Sequence, residues 1–600
     1  MMESTSGEPE LRETDAVALL LGADHSEGWR RNIRTRRGSE LACSGRARGA
    51  RKKPHLQDLG EQAPSEVAIA SLPVDLLVHI FCHLDQRAHR FVLPLVCRHW
   101  QEVLRKPVAV WNHLDVDFAA EAEVAEVAAA EEIVAGILMP TRPPGRRRAR
   151  ATDVLNWVRP RAAAVRSVRM RGVREAEAEP SRQARLMVAA MRLPDPHLER
   201  LSDFTGRGLA SLLGLVMASL EELVVERCYN LLTPGAFQAM GACKGLKVLS
   251  LKGIRSALGL ADFRAIAGLR HLEELVLDCD QPPEAEPGAE EVKWGLGAFP
   301  EGMLHLANMT HLTLSCHYGV TQLPIGISRL NKLQVLNLDF CTLGALPASL
   351  GALTALTTLD VEGNLYLGSH FRPPPPPGVP PPPPAFPTEL GALQALRYLN
   401  LNSCGLTQLP AVVSTLRSLE TLDLEDNELG EAAQPGCGFD DGVSTLARLQ
   451  CLNIAQCKLL RVPAVVERLS GLRILDLTNN RLTNAGLPGG LARLPHLKAI
   501  GLKKNCLTAV PRVLGAMRSL QEIYLEDNTE LEVDDNMDYV AALPHLRIVM
   551  MGKQWGSWAP RSMHFLTEFA ARLALRHGTT DVLRISFPGH APASSETELL

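Results

Sequence analysis

A repeated leucine spacing in the second half of the chain constrains the fold more than any other feature of the sequence. Residues 396–418 have the sequence LRYLNLNSCGLTQLPAVVSTLRS, in which Leu396, Leu399 and Leu401 give the spacing L-x-x-L-x-L. A near-copy follows directly, beginning at Leu419. A unit of this length forms a short strand and a return segment, and it cannot bury its apolar side alone. The spacing therefore predicts a stack of units that share one core.

The first leucine position of the unit recurs between residues 220 and 550. We place it at Leu220, Leu246, Leu272, Met309, Leu333, Leu356, Leu396, Leu419, Leu449, Leu472, Leu497, Leu520 and Leu546. Most of these positions are 23 to 26 residues apart, and three longer spacings indicate insertions. Val165 and Leu198 begin weaker candidates. We expect Val165, Val168 and Met170 to lie on the first strand of the array.

The ninth position of each unit is expected to point inward, where backbone groups of the following turn need a partner. Asn364, Asn427, Asn480, Asn505 and Asn528 fill this position with an amide, and Cys228, Cys341, Cys404 and Cys457 fill it with a thiol. This pattern resembles a leucine-rich repeat array. The resemblance implies an α/β solenoid, or horseshoe, with a parallel sheet on its concave face. Units from Met309 onward carry Leu-Pro or Val-Pro in the return segment and resemble the shorter repeat class.

Residues 65–117 form a second informative segment. It contains LP-x-DLL-x-x-IF-x-x-L from Leu72, VCR-x-W ending at Trp100, and P-x-x-x-W ending at Trp111. This order of motifs resembles an F-box. The resemblance implies a helical module that lays apolar side chains into a groove of the adaptor subunit of an SCF-type ubiquitin ligase. By that resemblance, the adaptor contacts are Leu72, Pro73, Ile80, Leu84, Val96 and Trp100.

The remaining segments differ in composition from these two regions. Residues 1–64 are polar and charged, and we expect a disordered basic tail. Residues 118–152 are an Ala/Glu-rich spacer, and residues 153–219, which resemble the start of arrays that follow plant or green-algal F-boxes, are expected to cap the repeats. Within the repeats of 220–550, the proline-rich insert at 372–387 is either a stiff loop or a ligand for an aromatic-lined groove. We expect residues 551–600 to form a C-terminal cap and tail.

The charge distribution and the cysteines of the sequence limit which compartment and which partners the protein can have. The formal net charge is −4, but residues 30–53 contain ten basic residues and one acidic residue, so the rest of the chain carries −13. The 13 cysteines are scattered, and the ladder thiols need to stay reduced, which favours a reducing compartment. The sequence contains no long apolar run and no secretory signal. We therefore expect a cytoplasmic or nuclear protein that binds neither membrane nor nucleic acid.

The sequence contains no recognisable catalytic motif. It lacks a phosphate-binding glycine loop and an HExxH pair, and its cysteines do not have the spacing of zinc ligands. We therefore expect no catalytic residue, no metal and no cofactor.

The two resemblances together imply the substrate receptor of an SCF-type E3 ubiquitin ligase. The F-box would bind the adaptor and, through it, the cullin, while the repeats would bind an unknown target protein. Outward positions of the concave strands are acidic in the central units, so we expect a basic target to contact Asp339, Asp360, Glu362, Asp423, Glu425 and Asp426. The alternative is a repeat protein that serves as an interaction scaffold in signalling or in the cytoskeleton or cilium, without a ligase role.

Overall fold

The computed structural model describes the repeat array and part of what precedes and follows it. The described residues are 113–117, 155–156, 158–171, 205–228, 231–254, 257–258, 260–280, 295–368, 384–430, 438–533, 537–552, 566, 569, 571–572 and 583–586. They fall into two compact units, an N-terminal unit within Ala63–Tyr366 and Pro377–Leu396 and a C-terminal unit within Leu367–Pro376 and Arg397–Leu600. Each unit is a solenoid of leucine-rich repeats built on parallel strands.

The N-terminal unit carries a parallel sheet whose strands follow one another in chain order. Its strands are β1 (His113–Asp117), β2 (Ser167–Arg171), β3 (Glu222–Glu226), β4 (Val248–Ile254), β5 (Ala257–Leu258), β6 (Glu274–Cys279), β7 (Gly295–Leu296), β8 (His311–Ser315), β9 (Val335–Asn337) and β10 (Thr358–Asp360). β5 and β7 form a separate pair. The register aligns one leucine column across Leu223, Leu249, Leu275, Leu312, Leu336 and Leu359. These leucines are buried, so the repeated spacing becomes the shared core of the stack.

The sheet begins earlier in the chain than the sequence pattern indicates. Val168 and Met170 do lie on a buried strand, β2, but β1 precedes it in the sheet. His113 to Asp117 pair residue by residue with Ser167 to Arg171. The prediction that β2 is the first strand is therefore wrong: β1 lies far upstream, although Trp111, Leu114 and Val116 have the same spacing as Val165, Val168 and Met170.

The C-terminal unit repeats the same arrangement. Its strands are β11 (Tyr398–Asn400), β12 (Thr421–Asp423), β13 (Cys451–Asn453), β14 (Ile474–Asp476), β15 (Ala499–Gly501), β16 (Glu522–Tyr524), β17 (Ile548–Gly552) and β18 (Leu583–Ser586). All pair in parallel with their chain neighbours within the unit. The alternating segment from Val582 to Phe587 predicts a last strand, and the pairing of β18 with β17 confirms it.

The return segments change from α-helices to 3₁₀ helices along the chain. The α-helices are α1 (Gly206–Val216), α2 (Pro234–Ala242), α3 (Leu260–Ile266) and the short α4 (Met537–Ala541). The 3₁₀ helices are Arg159–Ala164, Glu301–His305, Ile325–Arg329, Ala348–Ala352, Leu365–Leu367, Thr388–Ala392, Ala411–Thr415, Asp441–Thr445, Ala464–Arg468, Asn484–Gly486, Gly489–Arg493 and Arg512–Ala516. In the described part of the chain, no helix is long and apolar enough to cross a membrane.

Proline starts most of the 3₁₀ return segments. Pro300, Pro324, Pro347, Pro387, Pro410, Pro463, Pro488 and Pro511 each stand directly before such a helix, with φ between −76° and −57°. The proline ring fixes φ in this range, and the missing N–H is not needed at the start of a helix. The Leu-Pro and Val-Pro pairs of the sequence therefore mark where each strand's turn ends and the return segment begins.

The ladder asparagines close the turn that follows each strand. Asn480 Nδ2 donates to the carbonyls of Ile454 and Leu477 at 2.9 and 3.0 Å, and its Oδ1 accepts from the N–H groups of Cys457 and Leu459 at 3.1 and 2.9 Å. Asn364, Asn427, Asn505 and Asn528 make equivalent bonds within their units. One buried amide thus joins two successive repeats through groups that would otherwise lack partners.

The ladder cysteines fill the same position as buried thiols. Cys457 Sγ donates to the carbonyls of Leu424 and Ala455 at 3.1 and 3.3 Å, and Cys341 Sγ donates to Leu314 at 3.4 Å. Both are free cysteines. Burial raises the pKa of Cys341 to about 12 and also raises the pKa of Cys457. The thiols are therefore protonated donors rather than reactive thiolates.

The residue directly before the ladder position adopts a left-handed conformation. Arg227, Cys316, Phe340, Ser403, Asp426, Gln456, Asn479, Lys504 and Asp527 have φ between 49° and 59°, and Gly253 and Gly363 take this place in two other repeats. The N–H of this residue donates to the next repeat within the unit, as Asp426 does to Ala455 at 3.1 Å. The turn therefore continues the hydrogen bonding of the sheet past the end of each short strand.

Replacing Asn480 by alanine is expected to lower the free energy of unfolding by about 1–3 kcal/mol or more, since buried N–H and C=O groups lose their partner. Urea denaturation followed by circular dichroism measures the change. Asn402→Ala is the matched control, because the Asn402 side chain is half-buried and accepts from the neighbouring Ser403 hydroxyl. Equal stability of the two variants would contradict the role of the ladder amide.

Candidate protein-binding surfaces

The predicted adaptor contacts lie outside the residues that the structure describes. These are Leu72, Pro73, Ile80, Leu84, Val96 and Trp100. The first described residues are those of β1, which begins at His113, two residues after Trp111. The end of this segment is thus part of the repeat sheet of the N-terminal unit.

Three of the predicted target contacts lie on or just after strands of the N-terminal unit. Asp339 and Asp360 are 5% and 8% exposed, whereas Glu362 is half-buried. Ser315 Oγ donates to Asp339 Oδ1. Asp360 Oδ1 accepts from the backbone N–H of Glu362 at 3.1 Å. The two aspartates are thus held by groups of their own sheet, and Glu362 is the more accessible carboxylate.

The other three predicted contacts lie close together in the C-terminal unit. Asp423 and Glu425 are 3% and 5% exposed, and Asp426 is exposed. Asn453 Nδ2 and Gln456 Nε2 donate to the two oxygens of Glu425 at 3.1 and 2.6 Å. The Glu425 carboxylate is therefore part of a polar network across neighbouring repeats.

Asp426 is the accessible carboxylate of this group. Its Oδ2 accepts from Ser403 Oγ at 2.7 Å. The side chain leaves a backbone with φ of 54°, a conformation that aspartate tolerates better than most residues.

The fifth position of the repeat has a structural role that sequence reasoning missed. Its side-chain oxygen accepts from the backbone N–H two residues later at 2.8–3.1 Å: Asn337 from Asp339, Asp360 from Glu362, Asn400 from Asn402, Asp423 from Glu425, Asn453 from Ala455 and Asp476 from Thr478. This is an Asx turn that ends the strand. Asparagine and aspartate alternate at this position because the turn needs only an acceptor oxygen. The alternation of asparagine and aspartate at the fifth position is the sequence signal that could have revealed this role.

A buried imidazole occupies one ladder position in the N-terminal unit. His317 is the ninth residue of the unit that begins at Met309, and it is fully buried. Its Nδ1 accepts from the Leu296 N–H at 3.3 Å and lies 3.2 Å from Cys279 Sγ. Gly295 is required beside it, because a Cβ there would lie 2.3 Å from His317 Nδ1. Counting from Met309 predicts this role, although the sequence analysis did not single out His317.

The Cys279–His317 pair is arranged as a neutral hydrogen bond. Burial lowers the pKa of His317 to about 4 and raises the pKa of the Cys279 thiol. A nucleophilic cysteine needs the opposite, a thiolate stabilised by a cation. Among the described residues, no group of three or more His, Cys, Asp or Glu side chains is placed to hold a metal ion. The pair therefore has a structural role in the turn.

Comparison with protein families identifies both parts of the chain. A profile described as F-box-like matches residues 69–117, and a profile described as Leucine rich repeat matches residues 470–529. The last five residues of the F-box-like match form β1. The chain thus joins an F-box-like segment directly to leucine-rich repeats.

Similar curated proteins share the repeats over part of their length. Toll-like receptor 9 of Canis lupus familiaris is 29% identical over 47% of this chain and 27% of its own length. Ribonuclease inhibitor of Sus scrofa is 32% identical over 33% of this chain and 46% of its own length. Leucine-rich repeat and WD repeat-containing protein 1 of Danio rerio is 34% identical over 23% of this chain and 16% of its own length. The chain therefore spans less than half the length of these relatives.

Two solved structures are also similar to part of this chain. A leucine-rich-repeat protein of Leptospira interrogans has a TM-score of 0.35 and 18% identity, covering 63% of this chain and 92% of that one. An internalin of Listeria monocytogenes has a TM-score of 0.40 and 14% identity, and the match covers 67% of this chain and 99% of the internalin chain.

Acidification from pH 6.5 to pH 4 is expected to destabilise the N-terminal unit through His317. The pKa of this side chain is about 4 in the folded chain and 6.5 in its ordinary state, so the unfolded chain binds a proton first as pH falls. Stability is then fully present above pH 6.5 and falls by about 3 kcal/mol towards pH 4. Urea denaturation across this range should show a steeper loss for the natural chain than for His317→Gln. The exposed His496→Gln is the control, and parallel curves for the natural chain and His317→Gln would refute the assignment.

Proposed function

We propose that this chain, in which an F-box-like segment precedes leucine-rich repeats, is the substrate-recognition subunit of an SCF-type E3 ubiquitin ligase. The observation that carries the proposal is the F-box-like match at residues 69–117, whose end is the first strand of the repeat sheet. A scaffold without a ligase role has no need of that segment. The F-box-like segment binds the adaptor, which carries the cullin, and the repeats bind the target protein.

The adaptor contacts of the proposal are the apolar side chains at the signature positions of the F-box-like match. They are Leu72, Pro73, Ile80, Leu84, Val96 and Trp100. Apolar anchors at helical spacing are the way in which a helix docks into a groove, with most of the binding energy in a few buried side chains.

In this proposal the chain positions the target protein and does not itself make or break covalent bonds. Among the described residues, the buried thiols of Cys457 and Cys279 are protonated and the buried imidazole of His317 is neutral. A receptor of this kind accelerates ubiquitin transfer by raising the local concentration of the target beside the conjugating enzyme.

In each unit, the target surface of the proposal is the face of that unit's sheet that the return segments leave open. Glu362 in the N-terminal unit and Asp426 in the C-terminal unit are the accessible members of the predicted acidic set. The buried Asp339, Asp360, Asp423 and Glu425 contribute to the negative potential of this face, while their oxygens accept hydrogen bonds from neighbouring groups. Accessible carboxylates of one sign steer a basic partner and increase its association rate.

Replacing Leu72 and Pro73 together by alanine is expected to abolish binding of the recombinant SCF adaptor, because two apolar anchors are lost. Co-purification of the adaptor and cullin with the full chain measures this. Ile325→Ala is the control, since Ile325 is an apolar side chain 82% exposed on a return segment. Full adaptor binding by the double variant, or no binding by the natural chain, would contradict the ligase role and favour the scaffold.

Neutralising the open face is expected to weaken binding of a labelled oligoarginine peptide on the order of tenfold in the variant Glu362→Gln/Asp423→Asn/Asp426→Asn. Asparagine keeps the Asx turn at residue 423, as Asn400 and Asn453 do in the neighbouring repeats, so charge is removed without removing the acceptor. Fluorescence anisotropy measures the affinity. Asp441→Asn, on a return segment and paired with Arg468 at 3.2 Å, is the control. Unchanged affinity in the triple variant would place target binding elsewhere.

A further inference from the structure

The residues directly ahead of the strands in the C-terminal unit form a row in which four of seven are cations. The residues directly ahead of β11 to β17 are Arg397, Glu420, Gln450, Arg473, Lys498, Gln521 and Arg547. Each of the six residues after Arg397 donates its backbone N–H to the carbonyl of the residue before it in this row at 2.7–2.8 Å. The row therefore follows the edge of the sheet with the strand spacing of about 4.8 Å.

Each repeat adds one arginine or lysine to this edge. The four-residue segments ahead of β12 to β17 are 417–420, 447–450, 470–473, 495–498, 518–521 and 544–547. Together they hold Arg417, Arg448, Arg473, Lys498, Arg518 and Arg547, with His496 and His545, against the single acid Glu420. We call these segments, with Arg397, the basic edge. All of its cations are exposed except Lys498, which is half-buried.

The basic edge contains a depression of about 380 Å³ between neighbouring repeats. Its lining includes Arg448, Arg473 and His496, with Glu420 among the other residues. The depression opens at Gly471, which stands where Arg448 and His496 stand in the adjacent repeats. A Cβ at Gly471 would lie 2.6 Å from the Ala447 carbonyl oxygen, so the close approach of two repeats excludes a side chain there. Two guanidinium groups and an imidazole thus share one concave site.

The N-terminal unit shows that this charge is not a general property of the fold. At the same positions there, Glu221 pairs with Arg166 at 3.8 Å and with Lys247 at 2.8 Å, and Glu273 follows in the next repeat. Lys247 lowers the pKa of Glu221 through a hydrogen bond and its charge. Acids and bases alternate along that edge, whereas the basic edge repeats cations with one acid near its start.

We propose that the basic edge is a docking site for an acidic peptide segment of a partner protein, with the depression at Gly471 as its anchor. Guanidinium groups bind carboxylates in a bidentate manner, and Arg448 and Arg473 on adjacent repeats suit successive acidic side chains of an extended chain. This surface is distinct from the open face and does not depend on adaptor binding.

A protein segment fits this edge better than a nucleic acid does. The segments that form it contain no Phe, Tyr or Trp, whereas single-stranded nucleic acids bind on aromatic platforms beside basic grooves. The chain as a whole carries a net charge of −4, which opposes the long-range attraction of a polyanion such as DNA. A short acidic peptide would contact only the basic edge, so only the local positive charge would act on it.

The test is the affinity of the full chain for a labelled oligoglutamate peptide, measured by fluorescence anisotropy. Arg448→Glu/Arg473→Glu is expected to weaken binding about tenfold or more. The control Arg270→Glu/Lys332→Glu makes the same charge change at exposed positions on the corresponding edge of the N-terminal unit, and it should leave the affinity within about twofold. Equal loss in both variants would overturn the site in favour of general charge attraction.

Two further measurements keep the proposal falsifiable if the charge-reversal variant does not fold. Arg448→Gln/Arg473→Gln should still weaken oligoglutamate binding, and binding to the natural chain should weaken as ionic strength rises from about 0.1 to 1 M. Retained affinity in this variant, or binding that ignores salt, would overturn the proposal. Tighter binding of a labelled oligodeoxythymidine than of oligoglutamate would also overturn it, because the edge would then be a nucleic-acid site.

Discussion

The structure depends on the satisfaction of backbone groups in the turn that follows each strand. Strands of the later repeats are only three residues long, so the turn, and not the strand, contains many of the polar groups that stacking buries. In most repeats one inward side chain hydrogen-bonds to them, as an asparagine that both donates and accepts, a cysteine that donates, or His317 that accepts, whereas the repeat from Leu246 has the apolar Ile254 there. The leucine core can form because this position removes the cost of burying the turn.

The features that could be predicted from the sequence are those that every repeat must obey. The leucine column, the ladder and the proline before the return segment each answer a backbone or burial requirement that recurs, so their spacing is visible in a single chain. The same spacing occurs at Trp111, Leu114 and Val116, but strand β1 was missed because a long intervening segment separates it from the array and these residues belong to the F-box-like segment. The burial of Asp360 and Asp423 was missed because alternation of hydrophobic and outward positions says nothing about how deep an outward side chain lies.

Charge has different meanings on different surfaces of this molecule. On the open face, an aspartate at the fifth position is an acceptor for a backbone N–H, and asparagine replaces it in neighbouring repeats. The turn therefore needs the acceptor oxygen of this aspartate but not its negative charge. On the basic edge, the cations other than Lys498 extend from exposed positions, and Arg397 pairs with Glu420 at 3.6 Å. The sign of the charge there is independent of the strand geometry.

The inclusion of the last residues of the F-box-like segment in the sheet has a mechanical consequence. Five register pairs fix β1 against β2, so the last five residues of the F-box-like match are anchored in the sheet of the N-terminal unit. Residues inserted between the two strands lengthen a loop at a cost of only about 0.6 kcal/mol per doubling, and they leave the angle between the strands unchanged. Under the proposed ligase role, the target would be held at a short chain distance from the adaptor-binding segment, because that segment ends inside the sheet of the N-terminal unit.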